Sequence, residues 1–263
     1  MVITLANIIA IFRKELHFYF ASPLAYLIAG VFWLLSGFFF VIVLNSNIDQ
    51  AFQFDNSGLP PQPLDVAYLF LLEFLSVMGL VSLFVLPVLS MGLYAEERKH
   101  RTLELLATSP MTNWVVALGK LLGVVTFFTT MVLPLLVCEL IAFGAANPPV
   151  PLAVPILGHL GLILMAAAIL SLGMFISSLT DSSLLAALMT FVLVVMIWVS
   201  DLLAGRLGQP FGDILAHISL IRHYNNFVQG IFDTSGLILF ASYIILGLFL
   251  TAQSIEALRF QRS

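Results

Sequence analysis

Apolar residues run through this chain in long blocks, and the short polar clusters between them mark its elements. Leu24–Leu44 is uncharged and long enough to cross about 30 Å of hydrocarbon as a helix. Residues 66–93, 115–144, 154–179, 184–202 and 237–255 read as further spans of the same kind. Residues 2–22 have a different pattern. Ile8, Ile9, Ile11, Phe12, Leu16 and Phe20 share a helical face with Tyr19, while Arg13, Lys14, Glu15 and His17 fall elsewhere. This predicts an amphipathic helix lying in a membrane interface. Ser22-Pro23 then turns the chain into the bilayer, with proline tolerated at the helix start. The pattern is weakest over residues 201–235, which carry Gly, Pro, Arg206 and Arg222 and are too broken for a crossing. There it predicts short outer helices or a re-entrant segment, tolerable only where protein covers the backbone. The expected fold is an all-α integral membrane protein, with six transmembrane helices and an interfacial N-terminal helix in a single domain over 1–263.

Composition agrees. The chain is 61% apolar and 9% charged, with a mean hydropathy of +1.09, whereas a soluble domain carries roughly 25% charged residues. The distribution of charge matters more than its sum. Asn45–Asp65 is turn-rich and Ala145–Pro151 is short, and neither contains Lys or Arg, so both are expected outside. Arg13, Lys14, Arg98, Lys99, Arg101, Lys120, Arg259 and Arg262 fall on the other side, against only Arg206 and Arg222 outside. This places both termini in the cytoplasm. The N-terminus lacks the pattern of a cleaved signal peptide. Cys138 is the only cysteine, so no disulfide framework arises. No basic stripe interleaved with aromatics points to nucleic acid.

Motifs for chemistry are scarce. Gly119-Lys120 is followed by Leu121, and Trp114 stands where a phosphate loop needs its first Gly. The five histidines are scattered, and no metal site is expected. Glu73 and Glu139 interrupt the second and third spans, each about 7–10 Å from the outer boundary. A carboxylate at mid-bilayer costs on the order of 2.5–3.5 kcal/mol, so both need a reason. They line an outer vestibule or pair with Arg206 or Arg222; alternatively, they reach interfacial water near the helix ends. Gly119 and Gly123 open the third span and permit close helix approach, within one subunit or at a dimer seam.

The one dense charge cluster runs from Tyr94 to Lys120. Leu103, Leu105 and Leu106 follow the charges, and Pro110 stops the helix at Ser109. A short amphipathic helix on a cytoplasmic loop suits docking into a groove on a partner; a solvated loop with one helical turn is the plainer alternative.

The run Glu96-Glu97-Arg98-Lys99-His100-Arg101-Thr102-Leu103-Glu104-Leu105-Leu106-Ala107-Thr108-Ser109-Pro110-Met111-Thr112, followed by Gly119-Lys120, resembles the permease subunits of type-2 ATP-binding-cassette exporters. It is similar in particular to those grouped with gliding-motility and multicopper-enzyme-maturation systems. The resemblance extends to Arg13-Lys14-Glu15-Leu16, to Ser22-Pro23 and to the segment His223–Asp233. It implies a transporter of two permeases, a second copy or a paralogue beside this chain, and two separate ATPases in a bacterial plasma (inner) membrane. Glu96, Glu97, Arg101, Thr102, Leu103, Glu104, Leu105 and Leu106 would form the coupling element seated in the ATPase. ATP and magnesium would bind the ATPase, and this chain would hold no cofactor. Family members carry Gly immediately before the Thr, where this chain has Arg101. Two other readings stay open: an ion-coupled carrier with Glu73 or Glu139 as its proton site, and a non-transporting membrane scaffold. The substrate is not legible.

Overall fold

Helices form wherever the apolar blocks lie, and no strand occurs among the residues described by this computed structural model, 2–56, 65–102, 111–144, 150–206 and 208–260. In chain order they are α1 (Val2–Ala21), α2 (Pro23–Asn56), α3 (Val66–Ser90), α4 (Gly92–Lys99), α5 (Asn113–Gly144), α6 (Ala153–Leu179), α7 (Ser183–Ala204), α8 (Phe211–Ile218), α9 (Leu220–Val228) and α10 (Thr234–Phe260). Among the described residues, six stretches are long and apolar enough to cross a membrane, borne by α2, α3 with α4, α5, α6, α7 and α10.

Two boundaries differ from expectation. The first span was expected to end at Leu44, yet α2 continues to Asn56. No Gly or Pro interrupts residues 45–56, and Asn47 turns inward, donating to the Val43 carbonyl at 2.9 Å and to Glu73 Oε2 at 2.8 Å. At 1.5 Å per residue α2 is about 51 Å long, so its last turns project beyond the hydrocarbon. The second span, expected as one helix to Leu93, breaks at Met91 between α3 and α4. Pro87 inside α3 lacks an N–H and weakens the last turn of the ladder.

The centre of the bundle is α6, which packs against α3, α4, α5, α7, α9 and α10. Its small residues allow this. A Cβ at Gly161 would stand 2.6 Å from Phe227 Cβ on α9, and Ser171 lies against Gly247 of α10. By contrast α2 touches α3 closely only at one half, where Phe40 meets Phe70 and Phe74. Towards its start an apolar groove separates the two, lined by Leu27, Val31, Leu80 and Phe84.

The weak pattern over 201–235 resolves into the short helices α8 and α9. α9 is held inside the bundle: the Tyr224 hydroxyl donates to the Leu75 carbonyl, and Phe227 is fully buried. Protein thus covers its backbone, as a segment at membrane depth requires. Asp233 ties the exit of this segment to α10. Its Oδ1 accepts from the Ser235 amide at 2.9 Å, and its Oδ2 from His223 Nδ1 at 2.6 Å and Asn226 Nδ2 at 2.9 Å.

Candidate functional site at the basic end

The polar cluster is built on a close helix crossing. A Cβ at Gly119 would meet Ile11 Cβ at 2.8 Å, and one at Gly123 would meet Glu15 Cβ at 2.7 Å. The two glycines of α5 therefore serve contact within the chain, with α1 lying directly on them. This orients α1 differently from its sequence pattern. Glu15, assigned to the polar side, is 6% exposed and faces α5, while Ile9 and Phe20 are exposed. Ile11, Glu15 and Tyr19 recur every four residues, so Glu15 lies on the stripe that is buried.

Lys120 explains why a carboxylate is there. Its side chain is buried, and Nζ stands 2.8 Å from Glu15 Oε1 and 3.0 Å from Glu97 Oε1. It also lies 5.0 Å from the Tyr94 ring centroid. Lys14, largely exposed, adds a contact to Glu97 at 3.4 Å. Desolvating an ammonium costs several kcal/mol, recovered only with close, well-placed partners. Here one ammonium joins α1, α4 and α5. Tyr19 ties α1 to α3 as well, donating to the Leu89 carbonyl at 2.8 Å. Burial, then the Glu15 and Glu96 carboxylates, push its phenol well above the ordinary value, so it remains a donor.

α4 has no capping side chain of its own. Ser177 of α6 supplies the cap, its Oγ accepting from the Tyr94 and Ala95 amides at 3.1 and 3.0 Å and donating to the Met91 carbonyl at 2.8 Å. Arg98 donates to the Ser178 carbonyl at 2.8 Å. The far end of α4 closes in a Schellman pattern. The Thr102 amide donates to the Glu97 carbonyl and the Arg101 amide to the Arg98 carbonyl. Arg101 takes φ 58°, the left-handed conformation that glycine enters at least cost. This gives the Gly of the resembled family a physical reason, and the closure forms with Arg101 in its place.

Leu103, Glu104, Leu105 and Leu106 lie outside the described residues, as does the helix expected over 102–108 beyond Thr102 itself. Glu96 is half-buried, and Arg101 and Thr102 are exposed. The stem on which the stretch hangs is described: α4 on one side, α5 on the other, tied by Glu97 and Lys120.

The expected outer residues do not converge. Glu73 is exposed on α3 and bonded by Asn47. Glu139 is buried and faces His159 of α6, with Oε2 3.6 Å from Nδ1. Arg206 and Arg222 are exposed, and neither carboxylate meets them. Glu15, Ser177 and His159 carried no distinctive sequence signal; only the presence of Lys120 in an apolar helix demanded a buried partner.

A family model described as ABC-2 family transporter protein matches residues 45–249, most of the chain. The chain belongs to this family. It is therefore an ABC-type permease, a multi-pass membrane component rather than an ATPase. The match begins within α2 and ends within α10, so it takes in α4, the 103–110 stretch and Lys120 but not α1. A search of curated proteins returns no match.

Proposed function

We propose that this ABC-2 permease is the membrane subunit of an ATP-driven exporter, and that residues 96–106 carry the force of a separate ATPase into the bundle. The observation that supports this most is the buried Lys120, which binds α4 to both α5 and α1 at the root of the 103–110 stretch. A push on that stretch meets no slack there, because α4 is also pinned to α6 through Ser177 and Arg98. The basic end then faces the cytoplasm, the ATPase binds ATP and magnesium, and a second permease completes the transporter. The wider sequence likeness to gliding-motility and multicopper-enzyme-maturation permeases makes those systems the natural comparison for its cargo.

The test is co-purification with the ABC ATPase encoded beside the chain, followed by an ATPase assay. Wild type is expected to retain the ATPase, and a Leu103→Asp, Leu105→Asp, Leu106→Asp variant that still folds is expected to lose it. Equal retention by the variant removes the coupling assignment and brings the scaffold or carrier reading forward.

A further inference from the structure

The other buried ionisable cluster lies far from the coupling stem and has no part in it. Glu139 of α5 is 1% exposed and His159 of α6 is 3% exposed. Their 3.6 Å separation is beyond hydrogen-bonding range. His159 Nδ1 is instead 2.9 Å from the Pro155 carbonyl, one turn back along α6. That bond assigns the ring proton to Nδ1 and leaves Nε2 an acceptor. Both Glu139 oxygens and His159 Nε2 are buried with no hydrogen-bond partner among the described residues. Three unpaired polar atoms enclosed at membrane depth are costly, and each is open to a donor.

The ligand class follows from what the cluster lacks. A divalent cation needs several convergent ligands. Among the described residues no group of three or more His, Cys, Asp or Glu side chains could hold one. A proton needs neither a cavity nor a third ligand. On His159 Nε2 it yields an imidazolium beside the Glu139 carboxylate, and on Glu139 it removes the buried charge and gives that carboxyl a donor of its own. The neighbouring ionisable groups have other partners. Glu73 on α3 is bonded by Asn47 and Tyr68 donates to the Gln229 carbonyl. Tyr224 on α9 donates to the Leu75 carbonyl, His223 is held by Asp233, and Arg222 is exposed. Tyr243 on α10 donates to the Ile218 carbonyl.

Both groups lie near the same end of the bundle. Glu139 lies five residues before the end of α5 and His159 six after the start of α6, about 7–9 Å inside the helix ends. Both ends lie opposite the basic cluster. Next to His159 in sequence, Gly158 meets Leu75 of α3 most closely and Gly161 meets Phe227 of α9, so neighbouring helices pack tightly against α6 at this level. We propose that Glu139 and His159 form an intramembrane proton-binding site of the permease, loaded from the end opposite the basic cluster. This requires the chain to span a membrane but does not rest on ATPase coupling.

The test uses the full chain alone, purified into lipid nanodiscs, with infrared difference spectra from about pH 4 to pH 9, which brackets the ordinary Glu and His values. Wild type is expected to show one titrating carboxyl C=O component beyond those of the chain's other carboxylates, isolated as the difference between the wild-type and Glu139→Gln spectra. Glu139→Gln should abolish it, and His159→Asn should move its midpoint by about one pH unit or more, a tenfold change in proton affinity. The proposal is overturned by a wild-type chain without such a component, its spectra matching those of Glu139→Gln, or by a midpoint that ignores His159→Asn. No ATPase takes part, so failure of the coupling scheme and failure of this site are separate results.

Discussion

At the basic end, Lys120 is buried between two carboxylates, and removing it would leave both of them short of a partner. At the other end, Glu139 is buried at least as deeply and its oxygens meet no donor among the described residues. The first arrangement ties three helices together and resists change. The second holds two helices side by side without a bond between their polar groups, and one proton is enough to alter it. Buried charge in this chain thus occurs in two arrangements, a joint with close partners and a pair without a bond between its members; under the proposals above, the first passes on force and the second takes up a proton. Asp233 falls between them: half-exposed, fully bonded, and placed where α9 meets α10.

The comparison is broken most directly at Lys120. Lys120→Met removes the close partner of buried Glu15 and leaves Glu97 only the exposed Lys14, and the expected loss is about 3–5 kcal/mol of unfolding free energy in detergent. Adding Glu15→Gln and Glu97→Gln should recover much of it. A single variant as stable as wild type would mean the joint bears no load. Next comes Gly123→Val, which drives a side chain into Glu15 and should cost about 1–3 kcal/mol while lifting α1 from α5. A cysteine cross-link between α1 and α5 that forms equally well in the variant would count against the crossing.

Arg101→Gly has the opposite sign. It removes the left-handed strain at the end of α4 and should stabilise the chain by about 1 kcal/mol in thermal unfolding; an unchanged or lower stability would mean the closure carries no strain. Glu139→Gln sharpens the contrast with Lys120: because no hydrogen bond is lost, thermal unfolding should stay near wild type or rise slightly.

The smallest effect is a pH dependence at Asp233. Burial raises its carboxyl, but bonds from His223, Asn226 and the Gly236 amide outweigh this and hold it down at about 2. A carboxyl lowered on folding stabilises the folded state above its unfolded value, near 3.9, and that contribution fades as pH falls towards 2. Hydrogen exchange in α9 and the first turn of α10 should therefore quicken over that window in wild type but not in Asp233→Asn. An unchanged profile in the variant would put the sensitivity elsewhere.

Much of this could be read from the chain before any coordinates. Six apolar blocks suffice to demand six helices, because the bilayer leaves the backbone no other way to bond itself. Arg101 was marked as a departure only through the resemblance to a family with Gly there; the left-handed closure of α4 that gives this Gly its reason is set by residues 97–102. Gly119 and Gly123 signalled a close crossing, but which helix would lie on them was not legible. Glu15 was placed on the wrong side of α1, because seven apolar residues spread round that helix leave its buried stripe ambiguous until α5 is set against it. Glu139 was recognised as a carboxylate needing a partner, and the basic residues nearest in prospect, Arg206 and Arg222, were the natural choice by charge. Its nearest ionisable neighbour is instead His159, on the next helix, 3.6 Å away and not bonded to it. Sequence by itself determined the membrane-spanning class, the helix count and the family, since these depend on composition, block length and local motifs. Tertiary structure alone decided which buried charges are satisfied, because that depends on side chains meeting across helices over distances the linear order does not encode.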